Sequence, residues 1–101
     1  MEDRVQKAVE LFKSGYNCSQ SVVAAFADMY GFTQEQALRM GASFGGGIGR
    51  MRETCGAACG MFLVAGLETG ATEATDREGK AANYAVVQEL AAEFKKRNGS
   101  L

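Results

Sequence analysis

The side chains of this sequence with the clearest chemical potential are its three cysteines, Cys18, Cys55 and Cys59. A thiolate can act as a nucleophile, exchange with disulfides or bind a soft metal. The sequence contains no histidine, so the most common general base and the most common protein metal ligand are missing. Any reaction at the cysteines must therefore depend on the thiols themselves and on the backbone and charges around them.

Two of the cysteines follow residues that commonly begin helices. Cys18 follows Asn17 and Cys55 follows Thr54, and both asparagine and threonine are good N-cap residues. In the first turn of a helix, free N–H groups and the helix dipole favour the thiolate over the thiol. We therefore predict that Cys55 and Cys18 are activated thiols whose sulfur atoms lie close together.

Three further residues bear on these thiols. Arg50 and Arg52 precede Cys55 and would help to stabilise its thiolate. Cys59 follows Cys55 by four residues, which is one turn along the same helix face. A disulfide at this spacing is close to its geometric limit, so we expect Cys59 to be a small core residue.

A glycine-rich stretch, residues 41–60, surrounds Cys55 and contains seven of the thirteen glycines. Because glycine permits positive φ angles and close backbone approach, we expect this stretch to pass near the helix that carries Cys18. It has no preceding strand and no following Lys-Ser or Lys-Thr pair, which excludes a P-loop. Its N–H groups could still form an anion-binding nest, and the candidate binding residues are Gly45, Gly46, Gly47 and Gly49.

A metal or iron–sulfur site is an alternative use of the cysteines. A structural zinc site takes four Cys or His ligands, and an iron–sulfur cluster needs a comparable set. With three cysteines in the sequence, Cys18 and Cys55 would need further ligands from a carboxylate, a second subunit or residues after Leu101. No cofactor is evident from the chain alone.

The spacing of apolar residues, together with cap residues between the segments, predicts five helices. Their predicted ranges are 3–14, 18–30, 34–42, 55–68 and 76–97. Capping-box patterns precede the second and third helices: Asn17 with Gln20, and Thr33 with Gln36. The first helix has an apolar face that we expect to be buried: Val5, Ala8, Val9 and Phe12. No segment alternates with period two, so we predict one all-α domain over residues 1–101, a small helical bundle with the glycine-rich loop between helices 3 and 4.

Composition and charge exclude several classes of function. The net charge of −1 provides no electrostatic footprint for nucleic acid. Apolar runs such as residues 61–65 are too short to insert into a membrane, and the N-terminus lacks an apolar signal region. We therefore expect a cytoplasmic protein with a redox partner that the sequence does not identify. A bundle of this size is also compatible with a homodimer.

Three segments of the chain resemble the C_GCAxxG_C_C family of redox-active proteins, which carries a CGAxxG motif. The matching segments are residues 15–22, 44–49 and 54–60, and residues 94–100 resemble the family's segment before its third cysteine. The resemblance assigns Cys18 and Cys55 to the first two of four family cysteines and places the other two after Leu101. It implies redox activity and a C-terminal cysteine-bearing tail, and it leaves Cys59 outside the family pattern.

Three hypotheses follow for the function. The first is a small redox-active thiol protein in which Cys55 reacts and Cys18 is its partner. The second is a metal or iron–sulfur protein that uses the four family cysteines. The third is a non-enzymatic helical interaction module with inert cysteines.

Overall fold

The computed structural model of the protein describes residues 2–100. Within it the chain forms five α-helices and no strand: α1 Glu2–Lys13, α2 Cys18–Phe26, α3 Gln34–Gly41, α4 Gly56–Thr69 and α5 Arg77–Asn98. Short 3₁₀ segments, Ala27–Tyr30 and Ala42–Phe44, extend α2 and α3. The predicted all-α fold is confirmed.

Helix α2 is the centre of the fold. It packs against α1, α3 and α4, whereas α5 packs mainly on α4. The buried cluster around α2 consists of small residues: Val23, Ala24, Ala27 and Ala37. Side chains of this size allow the helix axes to approach closely, and larger apolar residues such as Leu11 and Leu63 pack around the cluster from outside.

Capping boxes fix the starts of α2 and α3 where the sequence predicts them. The Asn17 side chain accepts the Gln20 N–H at 2.8 Å, and the Gln20 side chain accepts the Asn17 N–H at 3.0 Å. Thr33 and Gln36 form the same pair of hydrogen bonds ahead of α3. These bonds satisfy N–H groups that have no partner within a helix, so the two starting points are well defined.

Helix α1 packs through a different face from the one predicted. Its partly buried residues are Arg4, Lys7, Ala8 and Leu11, whereas Val5 is 57% exposed and Phe12 is 59% exposed. The Arg4 guanidinium donates to the Ala25 carbonyl and to the Asp28 carboxylate, and Leu11 contacts the core cluster. Of the predicted apolar face, only Ala8 is partly buried, and Val5, Val9 and Phe12 stay exposed.

Helix α5 begins after Asp76, whose side chain accepts the Gly79 N–H, and ends at Gly99, which has the positive φ of a C-cap glycine. Its partly buried residues lie at helical spacing along the side that meets α4, whereas Tyr84 is 60% exposed. None of the helices in residues 2–100 is both long and apolar enough to span a membrane.

Candidate functional site

The first turns of α2 and α4 border one open cavity of about 720 Å³. Both predicted reactive cysteines line it, as do both arginines of the glycine-rich loop. The complete lining is Cys18, Gly46, Gly47, Arg50, Arg52, Glu53, Thr54, Cys55, Gly56 and Ser100. The structure therefore brings Cys18 and Cys55 together at one site, although 36 residues of sequence separate them.

Cys18 is the first residue of α2, and its sulfur atom points toward the start of α4. A Cβ atom added at Gly56 would overlap the Cys18 Sγ and would stand 2.9 Å from the Phe44 carbonyl oxygen. Only glycine leaves room for that sulfur atom. Because Gly56 directly follows Cys55, the Cys18 thiol lies against the backbone that positions the second cysteine.

Cys55 is itself the N-cap of α4, so the prediction that Thr54 has this role is wrong by one residue. Its ψ of 131° is extended, and helical geometry begins only at Gly56. The Cys55 side chain forms no cap hydrogen bond. Its thiol is half-buried and lies at the N-terminal end of a 14-residue helix, where backbone N–H groups favour negative charge.

Two glycines hold the neighbouring chain segments against the first turn of α2. A Cβ atom at Gly41 would lie 2.8 Å from the Gln20 Cα atom, and one at Gly45 would overlap the Asn17 side chain. The same two capping side chains also bond to carbonyls of the following segment, with Asn17 donating to Ala42 and Gln20 to Leu38. The capping box therefore ties the Cys18 end of α2 to the segment that enters the glycine-rich loop.

The loop between Gly45 and Cys55 has an unusual left-handed backbone. Ile48, Arg50 and Arg52 have φ angles of 66°, 66° and 58°, a region that residues with a side chain rarely adopt. Each such residue costs on the order of 1–3 kcal/mol, and strain of this kind is concentrated at functional sites. Arg50 and Arg52, two of these left-handed residues, line the cavity.

Backbone hydrogen bonds fold this loop onto itself. Gly49 donates to the Ser43 carbonyl at 2.7 Å, Arg50 to Gly45 at 3.1 Å and Glu53 to Gly47 at 3.0 Å. Of the four glycines predicted to bind an anion, Gly46 and Gly47 line the cavity, Gly45 packs on Asn17, and the Gly49 N–H is used within the loop. Anion binding by these residues stays a prediction.

Cys59 lies one turn into α4 and is 8% exposed. Burial raises the pKa of its thiol, and the nearby thiols of Cys55 and Cys18 raise it further. The thiols of all three cysteines are therefore close enough to interact electrostatically. The burial of Cys59 agrees with the expectation of a small core residue.

The arrangement offers little to a metal ion. Within residues 2–100, no three side chains of the Cys, His, Asp or Glu types are placed to share one ion. A metal held by Cys18 and Cys55 would thus need ligands from elsewhere.

One residue of the cavity, Ser100, is not among the predicted site residues. Ser100 follows α5 and lines the cavity with the thiols, so the C-terminal end of α5 returns to the site. Its position depends on the length and direction of α5, which no local pattern indicates. The resemblance of residues 94–100 to the family's segment before its third cysteine is the one signal that could have indicated it.

Comparison with known proteins identifies the family. The family model described as "Putative redox-active protein (C_GCAxxG_C_C)" matches residues 16–101, from just before α2 to the end of the chain. Neither the curated proteins nor the solved structures contain a match. The matched range includes both cavity cysteines and the whole glycine-rich loop, and it leaves out α1. The chain therefore belongs to the C_GCAxxG_C_C family of redox-active proteins.

Proposed function

We propose that this protein is a cytoplasmic thiol–disulfide redox protein in which Cys55 is the attacking thiol and Cys18 resolves the intermediate. The observation that carries the proposal is the meeting of the two cysteines on one cavity, with the Cys18 Sγ against Gly56. Both cysteines are half-buried and open to this cavity, so a small disulfide can reach them. Cys59 is buried and has no part in the exchange.

The proposed reaction is a two-electron exchange with a disulfide substrate. The Cys55 thiolate attacks one sulfur atom, the substrate S–S bond breaks, and one substrate thiolate leaves. The Cys18 thiolate then attacks the Cys55 sulfur in the mixed disulfide and releases the second substrate thiolate. The substrate is reduced to two thiols and the Cys18–Cys55 pair is oxidised to a disulfide, which a dithiol partner reduces again.

The charges around the cavity favour anionic substrates. Arg50 and Arg52 line it together with the single carboxylate of Glu53, and neither arginine forms an ion pair with the described part of the chain. Disulfides that carry carboxylates should therefore react faster than neutral ones. Ser100 lines the same cavity, so the C-terminal end of α5 also borders the two thiols.

The test is to expose the reduced protein to a small carboxylate-bearing disulfide, quench the reaction with acid, and identify the products by mass spectrometry. We expect a Cys18–Cys55 disulfide in the wild type and a mixed disulfide on Cys55 in Cys18→Ser. Cys55→Ser should lose the fast reaction, and the matched control Cys59→Ser should retain it. Equal and slow reaction at all three cysteines would refute the proposal, and a metal in anaerobically prepared protein would favour the metal hypothesis.

A further inference from the structure

The exposed strip of α1 forms one wall of a larger apolar surface. Between α1 and the first turns of α2 and α4 is a concavity of about 310 Å³, lined by Val9, Phe12, Cys18, Val22 and Ala57 among others. Next to it, between α2, α4 and α5, is a second concavity of about 540 Å³, whose apolar lining includes Phe26, Met29, Met61, Val64, Val86 and Leu90. Val22 lines both, so they adjoin, and we name them together the apolar cleft.

The protein's own core leaves its large side chains incompletely covered. None of the six phenylalanines, all of which lie in the described part of the chain, is buried. The largest fully buried apolar side chain in residues 2–100 is Val23. Aromatic side chains dominate the energetics of ordinary cores and interfaces, so this distribution leaves aromatic surface available for an interface.

The exposed area is sufficient for a stable interface. The chain exposes 6844 Å², whereas a folded monomer of its mass, 10.7 kDa, exposes about 5,500 Å². The excess of about 1,300 Å² is larger than the roughly 800 Å² that each partner buries in an interface of standard size. A partner that covers this much surface would contribute substantially to the stability of the fold.

The charges at the cleft fit a second copy of the same chain. Its apolar lining is bounded by Lys13 in the concavity near α1 and by Glu68 in the concavity near α5. An antiparallel twofold arrangement brings Lys13 of each copy toward Glu68 of the other, so the surface is self-complementary. The net charge of −1 per chain adds almost no repulsion between copies.

From these observations we propose that the protein is a homodimer that buries the apolar cleft of each copy against the other. Cys18 lines both the thiol cavity and the concavity near α1, so the interface borders the reactive pair. The dimer covers Cys18 on the side of α1 and leaves the arginine side of the cavity open. This inference does not depend on the reaction proposed for the cysteines.

The test is the solution mass of the fully reduced protein, measured by sedimentation equilibrium so that no intermolecular disulfide contributes. We expect a mass twice that of the 10.7 kDa chain. Phe12→Asp should weaken the dimer at least tenfold and yield a folded monomer by circular dichroism, because Phe12 contributes little to the protomer's own core. Tyr84→Asp is the matched control, since Tyr84 is as exposed as Phe12 but does not line the cleft.

A charge exchange provides a second test that leaves the apolar residues intact. Lys13→Glu and Glu68→Lys should each weaken the dimer severalfold at low salt, and the double variant should recover the wild-type affinity. A monomeric wild type at 100 µM or so would overturn the proposal, as would a dimer that Phe12→Asp leaves unchanged. If the double variant dimerises no more tightly than the single variants, the antiparallel arrangement is wrong.

Discussion

The sulfur atom of Cys18 occupies the space that a side chain at Gly56 would need. This contact joins the first turns of α2 and α4 at the thiol cavity and sets how closely the two cysteines approach. A single hydrogen atom at position 56 is therefore a structural requirement of the site.

Replacing Gly56 by alanine should destabilise the protein by about 1–3 kcal/mol, since the added methyl group displaces either the Cys18 thiol or the Phe44 carbonyl. The same change should slow formation of the Cys18–Cys55 disulfide. Urea denaturation and the disulfide mass assay measure the two effects. Gly66→Ala is the matched control in the same helix, because no atom lies within 4 Å of a Cβ there. It should stabilise α4 by up to about 1 kcal/mol, and equal effects of the two substitutions would contradict the proposed packing.

Removing either cavity arginine should raise stability and lower reactivity together. Arg50→Gly and Arg52→Gly each place glycine, which adopts positive φ angles freely, at a position where an arginine is strained. Each change should therefore raise the free energy of unfolding by up to about 1 kcal/mol. Both should slow reaction of the thiols with dithiobis(nitrobenzoate), an anionic disulfide, severalfold at low salt, and less at high salt.

Ile48→Gly is the control for backbone strain, because Ile48 has the same φ of 66° and no charge. Ile48→Gly should raise the free energy of unfolding by a similar amount and should react with the anionic disulfide at the wild-type rate. Reaction with neutral hydroxyethyl disulfide should change little in all three variants. An equal loss of rate in Ile48→Gly would show that the strained backbone, and not the charge, controls reactivity.

The Cys59 thiol should titrate above its ordinary value of 9.0, because burial and the neighbouring Cys55 and Cys18 thiols all raise its pKa. The neutral Cys59 thiol therefore contributes to the free energy of unfolding. This contribution is fully present below pH 9.0 and is lost as the pH rises from there through the raised pKa of the folded state. The free energy of unfolding of Cys59→Ala should therefore fall less steeply above pH 9 than that of the wild type.

Alkylation resolved by residue gives an independent measurement of the same group. Cys59 should react last, and its pH profile should move to lower pH in Cys55→Ala, which removes one of the charges that oppose its ionisation. An unchanged profile in that variant would mean that the Cys55 thiol does not contribute to the raised pKa of Cys59.

The ion pair between Arg4 and Asp28 should hold α1 against the end of α2. Its shortest N–O distance is 2.6 Å, and the bond to Arg4 lowers the pKa of the Asp28 carboxyl below its usual 3.8. The contribution of this ion pair to stability is present above the usual pKa of the Asp28 carboxyl. It is lost as the pH falls through the lowered pKa of that carboxyl in the folded state. Asp28→Asn should speed hydrogen exchange in α1 at neutral pH and remove this acid dependence, with Glu35→Gln, from the exposed pair within α3, as the control.

Local signals predicted the helix starts well and the packing faces poorly. The capping boxes at Asn17 and Thr33 involve residues three positions apart, so the pattern contains all the information that the structure uses. Helix α1 shows the opposite case. Its apolar strip is visible in the sequence, but the Arg4 contacts with α2 decide which side faces inward.

The site was predicted in outline only. The cap pattern and the family resemblance selected Cys18 and Cys55, but they could not reveal that Gly56 makes room for the Cys18 sulfur. The positive φ angles of Ile48, Arg50 and Arg52 were equally hidden, since these residue types favour negative φ. Both features depend on contacts between segments that are distant in sequence.

The small residues at the helix crossings also determine which mutations the protein can tolerate. In most proteins the least replaceable positions are large core side chains, but here they should be positions with almost no side chain: Ala24, Ala37, Ala58, Gly41 and Gly60. At Gly60, for example, a Cβ atom would lie 2.8 Å from the Val22 Cβ. Substitutions that enlarge a side chain in this protein should therefore be tolerated far less than substitutions that make one smaller.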